Sequence, residues 1–319
     1  MGRILTFISG KDALKALAKQ TEVFEKTSSV FWQTELSDFN VSLDGQVDGS
    51  AALGNSSAEV SAFKKFAHSF MQWPLRQLAS EFPDRDDCLQ LGHRITDQQN
   101  RLLTNDIVRQ IYSLALIRNY LDIQSLDSSI LVIGDGYGVL ATLLAMHAPH
   151  LKVIIVNLTK PLLLDLIYFN QALPEADFAL VANREEMQAA LINNKVRVIA
   201  VRGDDASCIA EARIGLAANV VSMQEMTPSV IANYFQLIRN NKAERTAFYC
   251  CNKIYKKLAD GMELKFNEYP WQKNDKILHD SICPWSQWYY DKKPPFWHYR
   301  KGKDRVIWHR LAYLEKDFK

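Results

Sequence analysis

The stretch Ser129-Ile130-Leu131-Val132-Ile133-Gly134-Asp135-Gly136-Tyr137-Gly138-Val139-Leu140-Ala141-Thr142-Leu143-Leu144 decides how the rest of the chain is read. Ser129 to Ile133 is a short apolar run of the kind buried on both faces of a sheet. Three glycines at alternate positions make a tight turn, and from Tyr137 to His147 apolar residues recur at helical spacing. The pattern is a strand, a glycine turn and a helix. Such a turn lets a ligand approach backbone that a side chain would cover, and the free N–H groups at the helix start favour something polar there.

The glycine spacing narrows the ligand. A dinucleotide fingerprint, Gly-x-Gly-x-x-Gly, would place its third glycine where this chain has Val139, which disfavours a nicotinamide dehydrogenase. The third glycine is instead Gly138. Gly-x-Gly-x-Gly after the first strand of an α/β sheet resembles the S-adenosylmethionine loop of class I methyltransferases. On that resemblance Gly134, Asp135, Gly136, Tyr137 and Gly138 are expected to contact the cofactor.

Composition sets the outer bounds. A chain of 319 residues, 48% hydrophobic and 23% charged, is long enough for a full α/β domain with a smaller region beside it. A formal charge of +2 gives no uniformly basic surface, so nucleic acid is not expected as a main partner. Lys292, Lys293, Arg300, Lys301, Lys303 and Arg305 do cluster, either as a solvated loop or as an anion site for nucleotide-sugar phosphates. The five cysteines (Cys88, Cys208, Cys250, Cys251, Cys283) show neither C-x-x-C nor zinc spacing, and read as reduced structural thiols. No metal site is expected. The first ten residues hold too short an apolar run for a signal peptide, and no later run reaches the roughly 18 apolar residues of a membrane span. The expectation is a cytoplasmic protein without a membrane span, and a homo-oligomer is compatible with it.

Residues 1–125 read as an N-terminal helical region. Leu14, Leu17, Ala18, Val23, Phe24 and Phe31 suggest one or two amphipathic helices, and residues 37–61 read as a flexible loop, a linker or a flap. Ala62 to Leu78 returns to helix, with Phe63, Phe66, Phe70, Met71 and Trp73 expected to pack in the core. Thr104 is placed to cap the helix that leads to Ser129.

Residues 126–319 read as the α/β domain. Strands are expected at Lys152–Asn157, Val196–Val201, Asn219–Met223 and Thr246–Cys251, with helices at Pro161–Leu173 and Pro228–Arg239. That alternation means a mostly parallel sheet covered by helices on both faces. Arg305–Leu314 is expected to pair with Met262–Phe266 as the last two strands, the final one antiparallel. Between them, at about 268–304, lies an aromatic-rich insertion that with Trp308 holds five of the seven tryptophans. Aromatic rings bind the C–H face of a sugar, so Trp271, Trp285, Trp297 and His298 are candidate substrate-binding residues. Packing of the insertion on itself is the competing explanation for each.

Beyond the glycine loop, Tyr168-Phe169, Ser222-Met223-Gln224-Glu225-Met226, Tyr234-Phe235, Phe248-Tyr249-Cys250, Asn252-Lys253 and Glu268-Tyr269-Pro270-Trp271 together resemble the sugar O-methyltransferases of polysaccharide and glycoside biosynthesis. The resemblance runs from about Thr104 to the C-terminus. It implies a Rossmann-like class I methyltransferase fold, S-adenosyl-L-methionine as cofactor, and a sugar or glycoside hydroxyl as acceptor. Glu225, after the fourth strand, becomes the candidate catalytic base. Asn157 stands at the end of the second strand, where such families carry an acidic residue for the ribose hydroxyls, and Val132 stands where they carry one in the first strand. By position beyond a strand end, Asp204 and Asp205 are candidates to reach the adenine, with turn formation as the alternative. The alternative function is a non-catalytic subunit of the same fold that binds a glycan or a partner enzyme.

Overall fold

Ser129–Ile133 and Val153–Asn157 are buried at every position, as strands covered by helices on both faces must be. The computed structural model describes residues 8–20, 40–41, 47–48, 61–291, 293–302 and 304–316. Within them the strands in chain order are β1 (Ile8–Ser9), β2 (Asn40–Val41), β3 (Val47–Asp48), β4 (Ser129–Ile133), β5 (Val153–Asn157), β6 (Asp177–Val181), β7 (Val196–Arg202), β8 (Ile214–Val220), β9 (Thr246–Lys253), β10 (Tyr255–Lys257), β11 (Glu263–Lys265), β12 (Lys276–Ile282), β13 (Trp288–Tyr290), β14 (Trp297–Tyr299) and β15 (Ile307–Leu314).

One nine-stranded sheet has the order β1-β6-β7-β5-β4-β8-β9-β15-β12. From β6 to β9 every pairing is parallel, and β15 runs antiparallel between β9 and β12. The parallel part starts at β4, moves outward through β5, and crosses back to β8 and β9 on the other side, so the strand order reverses at β4. In such sheets ligands bind beyond the carboxyl ends of the strands at that reversal. The period of two sorts each strand between two cores: Ile130, Val132, Val153 and Ile155 face one, and Leu131, Ile133, Ile154 and Val156 face the other. The first core is covered by helices Gly10–Ala18, Arg85–Gln98, Asn105–Tyr120, Val139–His147 and Thr159–Ala172, the second by Arg184–Ile192 and Pro228–Arg239. Thr104 caps its helix as expected, accepting from the Ile107 N–H at 3.4 Å. All five cysteines are buried and free.

Several expectations are corrected. Met262–Phe266 does not join the sheet: Glu263–Lys265 forms a hairpin with β10, and β15 pairs instead with β9 and β12. The strand β12 falls inside the expected insertion, because its alternation is broken by His279, Asp280 and Ser281 and by a register shift at Ile277/His279. The strand β6 and the helix Arg184–Ile192 were not foreseen, β6 offering only four apolar residues after Asp177. The aromatic stripe expected over Ala62–Leu78 is not core: Phe63, Phe66, Phe70 and Trp73 are 63–80% exposed and Met71 is 39% exposed, in two helices, Ala62–Met71 and Trp73–Arg76. Val23, Phe24 and Phe31, and most of 37–61, lie outside the described residues. Within that last range β2 and β3 pair as two short antiparallel strands.

One buried ion pair ties the end of the chain to the second core. Arg239 and Asp275 side chains are each 2% exposed and meet through two parallel bonds of 2.7 and 2.8 Å. The guanidinium also donates to the Glu315 and Pro270 carbonyls at 2.8 and 3.0 Å, and Asp275 accepts from the Gln272 and Glu315 N–H groups. Removing one partner would leave a buried charge without compensation. Asp275→Ala is therefore expected to lower unfolding stability by about 3–5 kcal/mol in urea titrations.

Candidate functional site

The glycine turn after β4 is left-handed at Gly134 (φ 64°), Gly136 (φ 82°) and Gly138 (φ 70°), a conformation that L side chains rarely adopt. Two of these glycines are also demanded by packing. A Cβ on Gly138 would lie 2.5 Å from the Asp165 carbonyl oxygen and 2.9 Å from its Cα, and one on Gly134 would lie 2.6 Å from the Ser222 Cβ. The turn is thus pressed against the helix Thr159–Ala172 on one side and the end of β8 on the other. Asp135 is engaged within the protein. Its carboxyl accepts from the Ala141 and Leu140 N–H groups at 2.7 and 3.2 Å and caps the helix Val139–His147, where the helix dipole favours a negative charge. Tyr137 is half-buried against the first core.

Asn157 is also committed within the protein. Its amide nitrogen donates to Asp165 Oδ2 at 2.8 Å and its oxygen accepts from the Leu158 N–H at 2.9 Å, and the residue also lines the cleft at the strand ends. Asp165 is fully buried, and no hydrogen bond reaches its other oxygen. Burial first, and then the neighbouring Asp135, hold the Asp165 carboxyl well above the usual carboxylate range. Burial raises Asp135 to about 6 against the pull of its two backbone donors. The two form one coupled pair, in which Asp165 keeps the proton and Asp135 carries the charge. Because the folded state binds protons more tightly than the unfolded chain, this pair stabilises the fold at low pH and loses that contribution as pH rises from about 4 through about 6 and above. Unfolding free energies at pH 5 and pH 8 are expected to differ less in Asp165→Asn than in the wild type, as read by urea titration at the two pH values.

The opposite wall is a network of amides. Asn219, fully buried in β8, donates to the Ile133 carbonyl at 2.8 Å and to Ser222 Oγ, and accepts from Asn252 at 2.8 Å. Asn252 in turn accepts from the Gln224 N–H at 3.1 Å, and Gln224 Oε1 accepts from the Lys253 N–H at 2.9 Å. Between them Val221 is held at φ 60°, a genuine outlier for a β-branched residue. The two segments that carried much of the family resemblance, Ser222–Met226 and Asn252-Lys253, are therefore bonded to each other. Glu225 ends this turn, 3.2 Å from Lys256 Nζ. The buried amides carry no charge signal in the sequence, and only the family segment pointed towards them.

The ends of β4, β5, β7 and β8 open on a cleft of about 440 Å³. Val156, Leu158, Met226 and Val230 give it apolar walls; Asn157, Ser222, Glu225 and Tyr234 supply polar groups, and Gly134 and Gly203 present backbone. Asp204 is exposed next to Gly203, and burial followed by its charge raises the Tyr234 phenol. Asp205 is instead paired with Arg202 at 2.9 Å, a contact within its own turn.

The aromatic candidates lie outside that lining. Trp271 packs on Phe235, Phe248 and Phe266, with the Arg310 guanidinium over its ring at 4.7 Å. Trp285 is 1% exposed, wedged among Phe82, Tyr112 and His309, and leaves no ring face for a substrate. Both are packing residues, because the insertion folds against the domain as well as on itself. Trp297 donates to the Met71 carbonyl at 2.8 Å and His298 stacks on Tyr289, but both remain only half-buried. In the basic cluster Lys293, Lys301 and Arg305 are exposed and Arg300 is half-buried, while Lys292 and Lys303 lie outside the described residues. Among the described residues no group of His, Cys, Asp or Glu could hold a metal ion, and no helix is long and apolar enough to cross a membrane.

No protein-family model matches the chain, and no curated protein sequence does. Solved structures are similar to it at low identity. A Pyrococcus horikoshii protein described as an RNA methyltransferase aligns with TM-score 0.39 and 12% identity over 65% of this chain and 83% of its own. Phosphoethanolamine N-methyltransferase 1 of Haemonchus contortus, in complex with phosphoethanolamine and S-adenosylhomocysteine, aligns with TM-score 0.37 and 9% identity over 82% of this chain and 51% of its own. Geranyl diphosphate C-methyltransferase of Streptomyces coelicolor gives TM-score 0.37 and 9% identity over 65% and 78%. By its own strand order the chain is a doubly wound α/β protein of Rossmann-like class, mostly parallel, with an antiparallel strand towards its C-terminal edge and helices before the sheet. Its cleft lies where that class binds ligands.

Proposed function

We propose that this protein is an S-adenosyl-L-methionine-dependent methyltransferase whose acceptor is a sugar hydroxyl, in polysaccharide or glycoside biosynthesis in the cytoplasm. The observation that carries the cofactor reading is the position of the cleft. It lies at the reversal of strand order, beside a left-handed glycine turn, and is lined there by Gly134, which has no side chain. The residues fit an adenosyl ligand: Val156, Leu158, Met226 and Val230 offer apolar faces, and Ser222, Tyr234 and exposed Asp204 offer polar ones. When bound, S-adenosylmethionine supplies a methyl group on a sulfonium, open to in-line displacement by an oxygen.

The chain's own part is to orient the acceptor and receive its proton. Glu225 lines the cleft, and its ion pair with Lys256 fixes the carboxylate at the rim. The sugar reading rests on the family resemblance and on Trp297 and His298, half-buried in an insertion that leaves and re-enters the sheet at the same rim as the end of β9.

A second reading, a non-catalytic subunit of the same fold binding a glycan or a partner enzyme, is favoured by one observation: Asn157 gives an amide N–H to Asp165 and brings no charge to a ribose. Calorimetric titration with S-adenosylmethionine and S-adenosylhomocysteine separates the two. Micromolar affinity supports the enzyme, and no heat at millimolar ligand would remove the cofactor assignment. For the acceptor step, Glu225→Gln is expected to bind S-adenosylmethionine normally and to lose at least about a hundredfold in turnover at pH 7. Near-normal turnover would leave Glu225 only its ion pair.

A further inference from the structure

A second cleft, of about 310 Å³, lies among the helices before the sheet and shares no lining residue with the first. Lys65, Gln72, Arg76, His93, Asp97 and Arg101 face into it. Three permanent cations thus stand against one carboxylate, and that carboxylate, Asp97, is already paired with Lys65 at 2.8 Å. Arg101 leans over the Tyr168 ring at 5.6 Å and gives one N–H to Gln171 at 2.9 Å. Neither it nor Arg76 has a carboxylate partner among the described residues.

Two buried polar atoms at this cleft are unfilled. Arg76 Nε is a donor without an acceptor. Gln72 is 1% exposed and donates to the Leu103 carbonyl at 2.5 Å, but its Oε1 is an acceptor without a donor. Leaving such groups unmade is costly, so the pair describes a ligand with both an anionic oxygen and an O–H. The accumulated charge is felt by His93, which burial first, and then Arg76 and Lys65, hold below its ordinary range, with Asp97 opposing.

We propose that this cleft binds the phosphoryl group of a phosphorylated ligand, with Arg76 and Arg101 donating to its oxygens and Gln72 Oε1 accepting from a P–OH or a neighbouring hydroxyl. Charge-assisted bonds from arginine to a phosphoryl group are the strong kind, and the guanidinium fork matches its oxygens. Phe63, Phe66 and Phe70, exposed on the helix that supplies Lys65, allow the phosphoryl group to belong to a soluble molecule or to a lipid headgroup.

The test uses the full chain with inorganic phosphate and pyrophosphate in calorimetry, and with phosphatidylglycerol and phosphatidylcholine vesicles in co-sedimentation. The expected result is binding that weakens at least about tenfold in Arg76→Gln and in Arg101→Gln, with unchanged melting temperature, and stays intact in the distant Arg184→Gln. Phosphate should also raise the His93 pKa in NMR titrations, since an added anion offsets Arg76 and Lys65. Phosphate binding without vesicle retention assigns a soluble ligand. Retention on phosphatidylglycerol alone, abolished by Arg76→Gln, assigns a headgroup. No binding of phosphate, pyrophosphate or vesicles at millimolar concentration, or binding that both variants leave unchanged, overturns the proposal.

Discussion

The close approach of the glycine turn to the helix Thr159–Ala172 governs the site. With no Cβ at Gly138, the turn lies directly on the backbone of Asp165, and this brings the Asp165 and Asp135 carboxyls into one buried environment. Like charges there cannot both persist at low cost, so one carboxyl retains its proton while the other sits at a helix N-terminus that stabilises it. The same constraint accounts for an amide at position 157. Asn157 donates to Asp165 at 2.8 Å, which a carboxylate could not do, and a second ionised group beside this pair would add repulsion. The amide at this strand end therefore has a local electrostatic cause.

The other side of the cleft solves a different problem. The ends of β4, β8 and β9 must stop side by side at a polar rim without leaving buried backbone groups unpaired. Asn219, Ser222, Gln224 and Asn252 do this with neutral side chains, each both donating and accepting. The network holds Val221 in its left-handed turn and places Glu225 at the cleft, with Lys256 as its counter-charge. The cleft is thus lined by the Glu225 carboxylate, the Tyr234 phenol, Asn157, Ser222 and apolar walls, set on a frame of amides.

The aromatic residues reverse the simplest expectation. Trp271 and Trp285, in the segment richest in rings, are consumed by packing, whereas Phe63, Phe66 and Phe70, in a plain amphipathic helix, and Trp73 at the start of the next, remain largely exposed. Ring count along the chain does not say which rings a neighbouring element covers. Trp285 is covered because the insertion docks on the helix Asn105–Tyr120, with Arg109 bonding the Trp285 and Trp288 carbonyls at 3.1 and 2.7 Å.

The parts legible in the sequence were those written in local signals. The apolar run Ser129–Ile133, the left-handed demand of Gly134, Gly136 and Gly138, the Thr104 cap and the helix opened at Pro228 each depend on neighbours a few residues away, so the alternation of strands and helices could be read directly. Tertiary structure alone decided the rest. The pairing of β15 with β12 rather than with Met262–Phe266, the turning of Asp135 to a helix start, and the meeting of Asn157 with Asp165 and of Asn219 with Asn252 join residues whose separation in the chain carries no pattern. The physical reason is that hydrophobic periodicity sets which face of an element is buried, while the partner of a polar side chain is set by which backbones the packed sheet brings within hydrogen-bonding reach.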